Sequence, residues 1–130
     1  MEPTIPQDST VIVDFSAYRD QKVRRNDLVC FIPHEYPDLV FIFRVVGLPN
    51  EQIRLKDSAI HADGQPTDIK GIEEFGFLED PVALGSDEYF VLGDNTKMSR
   101  DSRFFGPIKK SQILGKVTKV QPPAGGNSRP

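Results

Sequence analysis

Turn-forming residues are so frequent in this chain that they favour short elements. The 130 residues include 10 glycines and 11 prolines, so about one position in six favours a turn. Because glycine and proline interrupt helices, this spacing is typical of short strands joined by turns. No window places apolar residues at helical spacing over a long stretch. The sequence therefore predicts an all-β fold.

Runs of β-branched and aromatic residues give the positions of the predicted strands. The clearest runs are Thr10–Phe15, Leu28–Ile32, Asp38–Val46, Glu88–Leu92 and Ile113–Val120, with weaker ones at Gln52–Leu55 and Ser58–His61. A weak helix is predicted at Asp68–Phe75. We expect one domain over residues 1–121, with a small β-rich excursion at about residues 56–86 that carries a turn at Asp63–Pro66. Residues 122–130 are predicted to be a flexible tail.

Composition excludes several classes of function. With 16 basic and 19 acidic residues the net charge is −3, which argues against nucleic acid as a partner because phosphate neutralisation needs clustered basic residues. One cysteine excludes an internal disulfide, and two distant histidines argue against a zinc site, so we expect neither metal nor cofactor. No apolar run has the roughly 20 residues that a spanning helix needs.

Three segments carry the main functional signal. They read Met-Glu-Pro-Thr-Ile at Met1–Ile5, Phe-Arg-Val-Val-Gly-Leu-Pro-Asn-Glu at Phe43–Glu51, and Gly-Asp-Asn-Thr-Lys-Met-Ser-Arg-Asp-Ser-Arg-Phe-Phe-Gly at Gly93–Gly106. Their order and spacing resemble the boxes of the type I signal peptidase family over about residues 1–120, and the third box is the most specific. Arg25–Val29 is similar to a further Arg-Gly-Asp-x-Val segment of that family.

The resemblance implies a mostly antiparallel β fold that this family shares with self-cleaving repressors. It also implies a Ser/Lys dyad that cleaves signal peptides, and an N-terminal membrane anchor outside this chain. The domain would then lie on the extracytoplasmic face of the cytoplasmic membrane. The implied partner is an extended polypeptide, such as a signal peptide or a pilin or other secreted precursor.

Two departures from the family pattern remove the dyad. The family's nucleophilic serine would immediately precede Met1, and its general-base lysine aligns with Phe43. A neutral lysine can take the serine proton, but a phenyl ring cannot accept a proton. The family's glycines are replaced by Asn26 and Asn50, and asparagine tolerates the left-handed backbone that glycine allows. The turns at Asn26 and Asn50 are thus expected to be kept although the Ser/Lys dyad is lost.

The expected wall of this degenerate site consists of Met1, Phe43, Ser99, Asp101 and Arg103. Ser99 is expected to form a structural hydrogen bond. Asp101 and Arg103 would lie on one side of an extended segment, either as an ion pair that braces the wall or as a solvated pair.

A peptide-binding strand is expected at Leu39, Val40, Phe41 and Ile42, because the family adds its substrate as a strand beside the base-bearing strand. Other candidates have weaker support. Lys97 is a possible relocated base but sits among polar residues, His34 and His61 have no triad spacing, and Cys30 lies in an apolar run typical of a core residue.

The favoured interpretation is a non-catalytic signal-peptidase-like protein that binds secreted polypeptides or assists the assembly of surface structures such as pili. The alternative is an active, membrane-anchored signal peptidase whose serine lies just before Met1. A self-cleaving repressor is disfavoured, since that class also needs a Ser–Lys pair and the chain has no basic DNA-binding segment.

Overall fold

A computed structural model describes residues 1, 4–56, 59–69, 80–95 and 99–123. Its main feature is a six-stranded sheet in the order β1-β10-β2-β3-β8-β9, with every pair antiparallel. Its strands are β1 (Thr10–Asp14), β2 (Leu28–Phe31), β3 (Phe41–Gly47), β8 (Glu88–Leu92), β9 (Ile108–Lys109) and β10 (Ile113–Gln121). The all-β prediction is confirmed.

A second sheet of four strands follows the order β6-β5-β4-β7. Its strands are β4 (Gln52–Lys56), β5 (Ala59–Ala62), β6 (Gln65–Pro66) and β7 (Val82–Ala83). Strand β4 belongs to this small sheet, so the excursion that we placed at about residues 56–86 begins at Gln52. Ile53 and Leu55 of β4 point inward and are fully buried.

Short helical segments complete the described part of the chain. They are α1 (Ala17–Asp20), α2 (Ser102–Phe105) and a 3₁₀ turn (Lys110–Gln112). The helix predicted at Asp68–Phe75 lies outside the described residues from residue 70 onward, and Asp68 and Ile69 are not helical. Residues 124–130 of the predicted tail are also outside them.

Adjacent residues of the central strands face two different apolar clusters. Val46, Phe90 and Leu92 pack with Ile53 and other residues of the small sheet. On the opposite face, Val45 and Val91 belong to a second cluster that also contains Val29, Phe31 and Tyr89, with Phe41 and Phe43 packed against it. The small sheet thus covers one face of the large sheet, and the aromatic cluster lies on the other.

The turns keep the geometry that the asparagines predict. Asn26 and Asn50 have φ angles of 79° and 67°, so both occupy the left-handed region. Asp63 and Gly64, with φ angles of 52° and 83°, form the turn between the paired residues Ala62 and Gln65. Such two-residue turns favour Asp-Gly because both central residues need positive φ.

The long predicted strand at Asp38–Val46 is wrong at its start. Strand β3 begins at Phe41, because the preceding residues form turns in which Tyr36 N–H donates to Pro33 O and Leu39 N–H donates to Tyr36 O, at 3.1 and 3.0 Å. Leu39 and Val40 are exposed and lie outside the strand. Two of the four residues assigned to a peptide-binding strand are thus loop residues.

Candidate functional site

A groove with a volume of about 510 Å³ opens beside the first half of β3. It is lined by Met1, Val40, Phe41, Ile42, Phe43, Asn95, Ser99 and Arg100. The structure therefore brings together Met1, Phe43, Ser99 and three of the four residues of the expected binding strand. Leu39 does not line the groove, whereas Asn95 and Arg100 line it without having been predicted.

Phe43 is held in the groove wall by its neighbours in the aromatic cluster. It stands opposite Val29 in the ladder between β2 and β3. Its ring centroid lies 5.8 Å from that of Phe31 and 5.6 Å from that of Phe41. Aromatic pairs at this spacing add about 0.5–1.5 kcal/mol beyond the burial of their area. Phe43 is thus a well-packed apolar ring in the wall of the groove.

The groove side of β3 has an unpaired edge. On its other side β3 pairs with β2 from Phe41 to Arg44. On the groove side the ladder with β8 starts only at Arg44, opposite Leu92. Among the described residues, Phe41, Ile42 and Phe43 therefore have no strand partner on that side. A strand edge in this state can accept an added strand through main-chain hydrogen bonds.

Asp101 is the central polar residue behind the groove. Its side chain is fully buried and accepts hydrogen bonds from Gly93 N–H at 3.0 Å, from the Ser99 hydroxyl at 2.9 Å and from Arg103 Nε at 2.8 Å. Arg103 Nη2 donates to the second carboxylate oxygen at 2.9 Å, so the ion pair is bidentate. A buried ion pair thus lies behind the groove, and Ser99 donates a hydrogen bond to its carboxylate.

Asp101 and Arg103 lie at the start of a helix and not on the extended segment that we expected. Asp101 is the N-cap of α2 and also accepts a hydrogen bond from Arg103 N–H at 3.2 Å. An aspartate at the N-cap stabilises the first turn of a helix because it satisfies a free backbone donor. The helix is tied to β8 as well, since Val91 N–H donates to Ser102 Oγ at 2.9 Å.

A second ion pair, which sequence reasoning missed, lies at the start of the third box. Arg44 Nε and Nη2 donate to the two carboxylate oxygens of Asp94 at 2.8 and 2.7 Å. The hydrogen bond to Asp94 raises the pKa of Arg44, although burial opposes the shift. The Asp94 carboxylate thus connects the third box to β3.

Asp94 also fixes the N-terminal segment against the groove. The Thr4 hydroxyl donates to the Asp94 carboxylate, and Asp94 N–H donates to Met1 Sδ at 3.3 Å. Met1 O in turn accepts a hydrogen bond from Ile5 N–H at 3.0 Å. The first and third boxes thus meet at one residue. No local spacing rule could have predicted this contact, because about 90 residues separate its partners in sequence.

The remaining candidate residues that the structure describes do not line the groove. His34 is exposed after β2, His61 lies in β5 of the small sheet, and Cys30 is buried in β2, where burial raises the pKa of its thiol. Lys97 lies outside the described residues. Within those residues, no group of three His, Cys, Asp or Glu side chains could hold a metal ion.

Gly93 packs closely against Ser99 and Phe43, with no room for a side chain. A Cβ atom at this position would lie 2.2 Å from Ser99 Oγ, 2.8 Å from Ser99 Cβ and 3.1 Å from Phe43 Cε1. Ser99 would have to move and would lose its bond to Asp101. The third box therefore needs glycine here for close packing.

We expect Gly93→Ala to lower the free energy of unfolding by about 1–3 kcal/mol, the usual cost of overpacking. Urea denaturation monitored by circular dichroism measures this loss. Adding Ser99→Gly removes both of the closest atoms, so the double variant should be more stable than the additive sum of the single changes. Strict additivity would contradict the proposed clash.

The comparisons with known proteins agree with this geometry. The profile of the family described as "Signal peptidase, peptidase S26" matches residues 1–121. A probable signal peptidase I-2 from Synechocystis is 31% identical over 90% of this chain and 56% of its own length. Signal peptidase I V from Bacillus subtilis is 29% identical over 93% of this chain and 80% of its own length.

A solved structure is also similar. The crystal structure of a signal peptidase I from Enterococcus faecalis has a TM-score of 0.64 at 26% identity, over 75% of this chain and 98% of that one. The chain spans 56% and 62% of the lengths of its cyanobacterial relatives, from Synechocystis and Leptolyngbya laminosa. Since the family profile matches nearly the whole sequence, this chain belongs to the signal peptidase family, peptidase S26.

Proposed function

We propose that this domain is a non-catalytic signal peptidase relative that binds an extended segment of a secreted polypeptide in the groove beside β3. The observation that carries the proposal is the place of Phe43. Its ring packs against Phe31 and Phe41 at the position that aligns with the family's lysine base. Because a phenyl ring cannot take a proton from a serine hydroxyl, the family's dyad cannot form at this position.

The other described side chains of the groove offer no replacement for the base. The guanidinium of Arg100 carries hydrogen-bond donors and no acceptor. The Ser99 hydroxyl donates to Asp101, and that carboxylate already bonds to Gly93 N–H and to the Arg103 guanidinium. These groups hold the wall in shape, which is consistent with binding rather than proton transfer.

The unpaired edge of β3 supports strand addition as the binding mode. Phe41, Ile42 and Phe43 offer backbone groups on the groove side, and the groove is large enough for several side chains. Its apolar lining suits the hydrophobic segment of a signal peptide or of a pilin or other secreted precursor. An assembly role in surface structures such as pili would follow from the same kind of ligand.

We further propose that the protein acts at the extracytoplasmic face of the cytoplasmic membrane, through an anchor outside this chain. Among the described residues, no helix is long and apolar enough to cross a membrane.

A second candidate is an active signal peptidase whose serine precedes Met1. The observation in its favour is the intact wall, in which Ser99, Asp101 and Arg103 are bonded to one another and Met1 lies in the groove. This candidate needs a base other than residue 43. The two candidates therefore differ in whether a serine-bearing chain with Phe43 hydrolyses a preprotein.

The test of catalysis compares three proteins, each extended by one residue before Met1. With serine there and Phe43 unchanged, we expect no cleavage of a preprotein on a gel. With serine and Phe43→Lys, we expect measurable cleavage because the dyad is restored. With alanine and Phe43→Lys, cleavage should be absent. Serine-dependent turnover with Phe43 in place would establish the second candidate and overturn the first.

The test of binding uses a fluorescent signal-peptide segment and the unchanged chain. Ile42→Asp places a charge in the groove, so we expect the dissociation constant to rise at least about tenfold. Ile12→Asp is the matched control, because Ile12 is exposed on β1, away from the groove lining. Equal affinities for the two variants, or no binding by the unchanged chain, would contradict the proposal.

A further inference from the structure

A cleft with basic side chains lies on the small sheet, apart from the groove beside β3. It has a volume of about 210 Å³ and is lined by Gln52, Arg54, Lys56, His61 and Gly64. None of these residues lines the groove or belongs to the wall behind it. The cleft is therefore a separate feature of the molecule.

The alternation of β4 places these side chains on one face. Ile53 and Leu55 are fully buried against the core, so Arg54 and Lys56 project to the opposite face. In the ladder with β5, His61 stands directly opposite Arg54. Cβ atoms of such cross-strand partners are about 4.5–5.5 Å apart, so both side chains can reach one small ligand.

Arg54 differs from the other half-buried arginines in the described part of the chain. Arg25, Arg44 and Arg103 are each ion-paired, to Glu51, Asp94 and Asp101 respectively, at 2.7–2.8 Å. Arg54 and Lys56 form no ion pair within the described residues, although they are neighbours on one face. Arg54 and Lys56 therefore concentrate positive charge on this face of the small sheet.

The surroundings of His61 and Asp63 also bear on what the cleft can bind. His61 Nδ1 is buried and has no hydrogen-bond partner among the described residues. Asp63, next to Gly64, uses its Oδ1 to accept a hydrogen bond from Gln52 N–H at 2.8 Å. The Asp63 carboxylate thus bonds to the backbone of β4, while the side chains of Arg54 and Lys56 remain available to a ligand.

We propose that this cleft binds a phosphate group. The planar guanidinium of Arg54 can donate two parallel hydrogen bonds to phosphate oxygens, and Lys56 adds a second positive charge. Inorganic phosphate or a phosphate monoester at neutral pH carries more charge and more acceptor oxygens than a carboxylate, so it matches several converging donors better. The group can belong to a small phosphorylated molecule or to the head group of an anionic phospholipid.

The first experiment titrates the ¹⁵N-labelled chain with inorganic phosphate, with ionic strength held constant by chloride. We expect saturable amide shifts within residues 52–56 and 59–64. Arg54→Gln and His61→Gln should each weaken the apparent affinity about tenfold, as expected for loss of a charge-assisted hydrogen bond. Lys119→Gln is the matched control, since it removes one exposed charge from β10 of the other sheet.

The second experiment measures co-sedimentation with vesicles of phosphatidylglycerol and, for comparison, of phosphatidylcholine. Saturable phosphate shifts that are lost in the Arg54 and His61 variants support the site with a free phosphate compound as ligand. Binding to phosphatidylglycerol vesicles alone, lost in the same two variants, supports it with a lipid head group as ligand. The absence of both, or an equal loss in Lys119→Gln, would overturn the proposal.

Discussion

Replacing Asp101 with alanine is expected to lower the free energy of unfolding by about 3–5 kcal/mol, the cost of breaking a buried ion pair by removing one partner. The carboxylate is fully buried, and the side chain of its partner Arg103 is only 12% exposed. The change would remove the buried carboxylate that accepts hydrogen bonds from the Arg103 guanidinium and from Gly93 N–H. It would also remove the N-cap of α2.

Urea denaturation measures this loss of stability, and two further variants serve as a comparison and a control. Asp101→Asn keeps a side-chain oxygen for the helix cap but loses the charge, so its stability should fall between those of the alanine variant and the unchanged chain. Asp14→Ala is the matched control, because Asp14 is an exposed aspartate that also bonds to a serine, Ser16. Similar losses for Asp14→Ala and Asp101→Ala would show that the buried network does not stabilise the wall.

Replacing Arg44 with methionine is expected to cost about 2–3 kcal/mol of unfolding free energy, because it leaves a buried carboxylate without its charged partner. The Asp94 side chain is 4% exposed, and Arg44 donates to both of its oxygens. Methionine preserves much of the length of the arginine stem, so the loss reports on the ion pair more than on packing. The double variant Arg44→Met with Asp94→Leu should recover part of the stability.

The same change should loosen the N-terminal segment. Thr4 and Met1 are held through Asp94, so we expect the amide of Ile5 to exchange faster with solvent in Arg44→Met. Arg24→Met is the control, since Arg24 is exposed and has no ion pair among the described residues. Unchanged exchange at Ile5 together with unchanged stability would show that the contact between the first and third boxes is unimportant.

The strands were the part of the fold that the sequence predicted best. Aromatic and β-branched residues mark β3, and β-branched residues mark β10, because the preference for a strand is local in sequence. The error at Asp38–Val46 has a local cause as well. Leu39 and Val40 have the composition of a strand, but Pro33 and Pro37 flank a tight turn that delays the ladder until Phe41.

The residues of the groove could be predicted only because three segments of the sequence resemble the boxes of a known family. Phe43, Ser99 and Met1 do line one groove, and the Asp101–Arg103 pair does form behind it. The ion pair between Arg44 and Asp94 could not be predicted, because each residue has an ordinary local context. The same is true of Arg54 and His61, which became neighbours only when β4 paired with β5.

The frequency of turn formers determined by itself that this chain builds short strands, and the boxes indicated its family and the groove residue Phe43. These are properties of local steric preference and of residue identity, which sequence carries directly. The tertiary structure alone decided that the β3 edge is open, that Asp94 joins the first box to the third, and that a basic cleft lies on the small sheet. Each of these depends on strand register, which brings together residues that are distant in sequence.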